Sequence, residues 1–195
     1  MSRKITVSFA GPFSWPGTPD APSIFDADLR RQSGIYLWTI PWEEGHLIYY
    51  VGETGRSFEV RLLEHYVEHA ACMYHVYSPA EFSRGEKVEL WPGRYDSLNR
   101  KSAQGCIDQY PRLCAPIAEL TLLYRLFIAP LEAEARERRR VEAAIAAHLY
   151  AQPDLVGAFQ DRGIRYTSRR PDEEPIECVV TSTALLLGLP DRLLA

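Results

Sequence analysis

Residues 34–66, GIYLWTIPWEEGHLIYYVGETGRSFEVRLLEHY, constrain the fold more than any other part of the chain. Two runs rich in β-branched and aromatic residues, 33–40 and 46–51, flank a segment with proline and glycine, which predicts a β-hairpin with a loop. Ser57 is a suitable N-cap for a helix over residues 58–71, which carries an apolar stripe at helical spacing. The stretch therefore predicts a hairpin followed directly by a helix.

Four polar residues in this unit are harder to explain by packing. Tyr36 and Tyr50 lie on the two neighbouring strands, each within a cluster of glycine and tyrosine. Arg61 and His65 are four positions apart, so they share one face of the helix. Taken singly, each has a plain interpretation as a core tyrosine or a solvated surface residue. Taken together, they place two phenols, a guanidinium and an imidazole in one unit.

The order Gly-Ile-Tyr, Tyr-Val-Gly and then Arg-x-x-x-His resembles the GIY-YIG nuclease superfamily. The resemblance covers residues 33–66 closely and residues 121–150 more loosely. It implies an α+β fold with a small three-stranded antiparallel sheet flanked by helices. It also implies a metal-dependent endonuclease that hydrolyses phosphodiester bonds, with Mg²⁺ as the expected divalent ion and DNA as the expected partner.

By the same resemblance, the catalytic residues are Tyr36, Tyr50, Arg61, His65 and Glu142, and Glu142 is the metal ligand. Glu142 lies in the segment Glu-Ala-Ala-Ile, which resembles the family's Glu-x-x-Ile/Leu pattern. Its helical position is at the edge of an apolar stripe, about 60° from Ile145. The alternative is a surface glutamate in a charged helix, and Glu134 is then the second candidate for the metal.

We interpret the whole chain, residues 1–195, as one domain with a core of residues 33–71 and 119–150. The third strand is predicted at residues 119–128, and Pro130 fits the first turn of a helix over residues 131–150. Residues 72–118 then form an insertion, and residues 151–195 a C-terminal extension. Further elements are expected outside this core: strands at 4–10, 86–91 and 176–181, helices at 97–110 and 183–189, and a short helix or turn at 24–31.

Composition sets the broad class. The hydrophobic share of 46 % and the charged share of 25 % are ordinary for a globular protein. No apolar run is long enough to span a bilayer and no signal peptide is recognisable. We therefore expect a cytoplasmic protein that does not associate with a membrane. The net charge of −4 excludes a generally basic nucleic-acid binder but leaves room for a local basic patch.

The four cysteines form no CxxC pair and are expected to be buried thiols. A group of histidines and a cysteine could supply zinc ligands from one helix and its end: His65, His69, Cys72 and His75. Structural zinc sites usually draw their ligands from two separated pairs, which this group lacks. Zinc is therefore the less favoured metal hypothesis.

Two positions depart from the family pattern. No asparagine follows Asn99, although relatives often have one near the end of the second core helix, and Gln152 is the nearest substitute. Glu53 stands where several relatives have lysine. These departures leave open a module that lost cleavage and only binds nucleic acid, or a protein-interaction domain. The sequence does not decide between DNA and RNA.

Overall fold

The computed structural model describes residues 3–95, 103–162 and 166–195. Its strands are β1 (Arg3–Phe13), β2 (Gly34–Trp42), β3 (Gly45–Thr54), β4 (Val76–Tyr77), β5 (Glu89–Trp91), β6 (Arg125–Pro130), β7 (Ile176–Ser182), β8 (Leu186–Leu187) and β9 (Arg192–Leu194). Its α-helices are α1 (Phe58–Ala70), α2 (Pro79–Phe82), α3 (Ala103–Leu123), α4 (Ala135–Tyr150) and α5 (Leu155–Phe159). Two short 3₁₀ helices, Ile24–Asp26 and Asp28–Arg31, precede β2.

The main sheet has seven strands in the order β8-β3-β2-β6-β1-β7-β9. It is mixed, because β1 pairs with β7 and β3 with β8 in parallel, while the other neighbours are antiparallel. The predicted small three-stranded sheet is therefore wrong. The three predicted strands correspond to β3, β2 and β6, which are adjacent, but β6 also pairs with β1 along its other edge. An exposed edge leaves backbone hydrogen-bonding groups unpaired, and the N- and C-terminal strands cover it here.

The hairpin of β2 and β3 follows the sequence prediction closely. Gly34 pairs with Thr54 and Trp42 with Gly45. The two glycines of the motif are required by close packing. A Cβ on Gly52 would lie 2.3 Å from Cζ of Tyr36, and one on Gly34 would lie 2.1 Å from the Ala129 carbonyl oxygen.

Several predicted elements differ from the structure. Residues 119–123 close helix α3, and the third strand begins only at Arg125. Short apolar runs do not distinguish a strand from a buried helix, which explains this error. Pro130 ends β6, and helix α4 begins at Ala135. The helix expected at 183–189 is replaced by the short strand β8 and a turn, and residues 97–102 of the expected helix 97–110 lie outside the described residues.

The sheet carries a separate apolar core on each face. Alternate residues of β2 point to opposite sides, so that Tyr36 and Trp38 pack in one core while Ile35 and Leu37 pack in the other. The first core includes side chains of α1 and α3, and the second includes those of α4. Across the described ranges, we find no helix with the length and apolar character that a bilayer crossing requires.

Candidate active site

Tyr36 and Tyr50 lie on the same face of the hairpin. Trp38 is directly opposite Tyr50, and Tyr36 is two residues before Trp38, so the two tyrosines are diagonal neighbours. Their rings stack with centroids 6.0 Å apart and planes 28° from parallel. Tyr36 is 1 % exposed, whereas Tyr50 is partly exposed. The hairpin therefore holds one phenol in the core and the other nearer to solvent.

Helix α1 brings Arg61 and His65 to the hydroxyl of Tyr36. The helix begins where the sequence predicts, because the Ser57 side chain accepts a hydrogen bond from the amide of Val60. Nε of Arg61 donates to Tyr36 Oη over 3.3 Å, and His65 Nε2 lies 2.7 Å from the same oxygen. The spacing of four residues puts both side chains on the helix face that meets the sheet.

The hydrogen bonds around His65 define which ring nitrogen carries the proton. His65 Nδ1 is 2.7 Å from Tyr74 Oη, and that hydroxyl donates its only proton to Glu68. Tyr74 must therefore accept a hydrogen bond from the Nδ1–H of His65. A neutral imidazole then has a lone pair at Nε2, so Tyr36 donates its own proton to His65.

Burial sets the protonation of both partners. It lowers the pKa of His65 to about 3, with help from the positive charges of Arg61 and Arg56, so the imidazole is neutral near pH 7. Burial raises the pKa of Tyr36 to about 12, although Arg61 opposes that change. The proton consequently stays on Tyr36 in the protein alone.

Glu142 reaches this region from the other side of the sheet. Helix α4 packs on the opposite face from α1, but Glu142 Oε1 accepts a hydrogen bond of 2.9 Å from the backbone amide of Glu53 on β3. That amide belongs to the outer edge of β3. The edge is also capped by the C-terminal segment, through Gln160 Nε2 to the Ile48 carbonyl, Asp161 N to the Tyr49 carbonyl and Tyr166 Oη to the Val51 carbonyl.

The electrostatics of Glu142 suit a cation. Burial and the nearby carboxylate of Glu53 raise the pKa of Glu142 to about 7, against the opposing effects of the Glu53 amide, Arg139 and Arg61. In the described part of the chain, no donor reaches its second oxygen, Oε2. A divalent cation at Oε2 would favour the ionised carboxylate. The residues present thus fit a cation held by one carboxylate, with water completing the shell, as Mg²⁺ accepts.

Glu53 is itself held by two arginines of α4. Nε of Arg138 donates to one carboxylate oxygen over 3.2 Å, and Nε of Arg139 lies 3.6 Å from the other. The two arginines partly offset the negative charge of Glu53 beside Glu142.

The other sequence candidates lie elsewhere. Glu134 is the exposed N-cap of α4, and Gln152 lines a cleft with Trp42 and Leu155 instead of the Tyr36 site. The proposed zinc ligands do not converge, since both ring nitrogens of His65 bind tyrosines. Nowhere in the three described ranges do three His, Cys, Asp or Glu side chains form a group able to hold a metal ion.

Two contributors to the site were missed in the sequence. Glu68 follows His65 by three residues, so its place on the same helix face was available as a signal. Tyr74 lies beyond the end of α1, in a segment without periodicity, and no sequence pattern indicated its contact with His65.

No protein-family model, curated protein or solved structure matches this chain. The resemblance to GIY-YIG nucleases accordingly depends on the motif residues of the sequence alone.

Proposed function

We propose that the protein is a cytoplasmic, metal-dependent nuclease that hydrolyses phosphodiester bonds, with DNA as its substrate. The observation that carries this proposal is the position of Tyr36, whose hydroxyl lies between the Arg61 guanidinium and the His65 imidazole. A structural tyrosine needs one hydrogen-bond partner, whereas this one has a permanent cation on one side and a neutral base on the other.

Each residue has a role that its contacts support. Arg61 is 28 % exposed in its side chain, and its Nε contacts Tyr36 while Nη1 pairs with Glu64 over 3.3 Å. Phosphate oxygens would bind at Nη2, and at Nη1 once they displace Glu64. Tyr36 orients the attacking water and takes its proton as it passes its own proton to His65. Tyr50 stacks on Tyr36 and limits the movement of the phenol. The leaving oxygen takes its proton from solvent.

Glu142 would hold the cation through Oε2 while Oε1 stays bound to the Glu53 amide. A bound Mg²⁺ supplies positive charge that stabilises the additional negative charge on phosphorus and on the leaving oxygen. The Glu53 amide fixes the orientation of the carboxylate, which preorganises the site before substrate binds.

Nucleic acid would meet a local basic surface in spite of the acidic total. Arg56 and Arg139 have side chains that are 56 % and 55 % exposed, and they pair with Glu64 and Glu53, which phosphate would have to displace. Binding should therefore weaken steeply as salt rises, because each phosphate contact releases counterions.

The test is cleavage of plasmid DNA and of RNA by purified protein with Mg²⁺ or with EDTA. We expect wild type to cut DNA only with Mg²⁺, and Glu142→Ala to abolish cutting while DNA affinity stays equal or rises. Glu134→Ala is the matched control, because it removes the same charge from an exposed site at the start of the same helix.

Four results would contradict all or part of the proposal in different ways. Cleavage that ignores EDTA would exclude the metal, and equal cutting by Glu142→Ala would exclude its ligand. Salt-dependent binding without cleavage of either nucleic acid would instead favour the module that binds but no longer cuts. Cleavage of RNA alone would change the substrate and keep the mechanism.

A further inference from the structure

His65 is connected to a second phenol and a carboxylate on the side away from Tyr36. The chain of hydrogen bonds runs from Tyr36 through His65 and Tyr74 to Glu68, and we call it the His65 chain. Its direction is fixed, since every hydroxyl has one proton and Glu68 accepts at the end. His65 is 2 % exposed in its side chain, and Glu68 is 29 % exposed.

We propose that Tyr74 and Glu68 are positioning residues for catalysis, which hold the Nδ1–H form of His65 and stabilise the imidazolium that forms when His65 accepts the Tyr36 proton. This inference rests on the proposed nuclease function. Without an acceptor at Nδ1, His65 could place its proton on Nε2 instead, and Tyr36 would then lose its proton acceptor.

The proton balance of the step is simple. The O–H bond of Tyr36 breaks, an N–H bond forms at His65 Nε2, and Tyr36 gains a proton from the water that attacks phosphorus. The hydroxide equivalent joins phosphorus and the bond to the leaving oxygen breaks. No oxidant or reductant is needed. The buried imidazolium then loses its proton to solvent, which its low pKa favours.

In this proposal, the negative charge of Glu68 at the end of the His65 chain stabilises the imidazolium. An imidazolium in a buried site is costly unless a negative group is near, and the Glu68 carboxylate lies 3.8 Å from His65 Nδ1. Tyr74 carries the hydrogen bond between them and keeps the carboxylate out of direct competition for Nδ1. A second tyrosine, Tyr95, donates to the other Glu68 oxygen over 2.9 Å and is 57 % exposed.

Tyr95 makes a matched control possible. Tyr74 and Tyr95 both donate to Glu68, but only Tyr74 contacts His65. Tyr74→Phe and Tyr95→Phe each remove one hydroxyl group that donates a hydrogen bond to the Glu68 carboxylate. Glu68→Gln is the third variant, because a glutamine can still accept from Tyr74 but carries no charge.

The first measurement is the ¹⁵N spectrum of His65 near pH 7, which reports the tautomer without any turnover. We expect the Nδ1–H form in wild type, Tyr95→Phe and Glu68→Gln, and a shift towards Nε2–H in Tyr74→Phe. The second measurement is the rate constant of single-turnover cleavage with Mg²⁺ at several DNA concentrations. We expect Tyr74→Phe and Glu68→Gln to lower the maximal rate constant by about 100-fold, the lower end for loss of acid–base assistance. The DNA concentration that gives half of this maximum should change little.

Tyr95→Phe should stay within about twofold of wild type, since the acid–base chain is intact. A thermal melt of each variant checks folding. If wild type places the His65 proton on Nε2, or if Tyr74→Phe cuts as fast as wild type, the inference is overturned and the nuclease function stands. If wild type itself fails to cut DNA and RNA, the proposed function and this inference fall together.

Discussion

In the proposed mechanism, Tyr36 is the residue through which the protons move. Its pKa of about 12 and the His65 pKa of about 3 are far apart, and burial is the main cause of both. The Tyr36 side chain is therefore a protonated phenol, and not a phenolate, in the protein near pH 7. In the proposed mechanism, Tyr36 would therefore release its proton as another arrives from water, so that its deprotonation is tied to the attack on phosphorus.

Arg61 gives the sharpest test at this scale. Arg61→Ala should slow cleavage by roughly 3–4 kcal/mol in activation free energy, because one preorganised charge is lost beside the phosphate. Arg61→Lys should recover only part of the rate, since a point charge cannot both contact Tyr36 and fork onto phosphate. Rates measured at saturating DNA separate this effect from binding.

Arg84→Ala is the control for that series, because Arg84 is an exposed arginine paired with Glu81. It should leave the rate unchanged. An equal loss in Arg84→Ala, or full activity of Arg61→Lys, would count against a specific role for the Arg61 guanidinium.

At the scale of elements, the sequence predicts the hairpin and α1 well because their signals are local. The runs of β-formers, the proline and glycine that flank the turn and the Ser57 cap all act within a few residues. The error at residues 119–128 has the opposite cause. That segment is largely apolar and has no clear period, so tertiary packing decides that its first part ends α3 and its last part forms β6.

The fit between the hairpin and Tyr36 can be tested through Gly52. Gly52→Ala places a methyl group 2.3 Å from Cζ of Tyr36. Because Cζ belongs to a rigid aromatic ring, the ring or the strand must move. We expect a loss of about 1–3 kcal/mol in the free energy of unfolding, as for overpacked cores, with a fall in cleavage rate. Urea unfolding and single-turnover assays measure the two effects.

Gly55→Ala is the matched control for the hairpin. Its added methyl group would be closest to Nη2 of Arg138, the far end of a flexible side chain. The free energy of unfolding should change little. Equal destabilisation by the two substitutions would show that the backbone freedom of glycine, and not room for the phenol, explains the glycine at position 52.

For the whole molecule, the arrangement of the sheet could not be predicted from local pattern. The strands at residues 4–10 and 176–181 were recognised, but alternation does not name a partner strand. The candidate site depends on this arrangement. Tyr36 and His65 lie on one face, Glu142 comes from a helix on the other, and the outer edge of β3 connects them.

Two buried histidines should make global stability depend on pH. Burial lowers the pKa of His69 to about 4 and that of His65 to about 3. The unfolded chain therefore binds more protons than the native state as pH falls below about 6.5, and the free energy of unfolding falls by up to about 1.4 kcal/mol per pH unit for each group. The contribution of the histidines is fully present above that pH, whereas the raised pKa of Glu142 acts in the opposite direction between about pH 4.5 and 7.

Urea unfolding at pH 7.5 and 4.5 checks this dependence. His69→Gln should lose roughly 2 kcal/mol less than wild type between the two pH values, because one of the two depressed groups is gone. An unchanged slope in His69→Gln would refute the role of that buried ring.

The position of β6 between β2 and β1 limits how this protein can be shortened or transplanted. A fragment made only of residues 33–150 would keep every candidate catalytic side chain and still expose one long edge of β6. It would also lose the Gln160, Asp161 and Tyr166 contacts to β3. Two unpaired edges on one small sheet favour strand addition between copies. Fusions and minimal versions must therefore carry both ends of the chain to remain monodisperse.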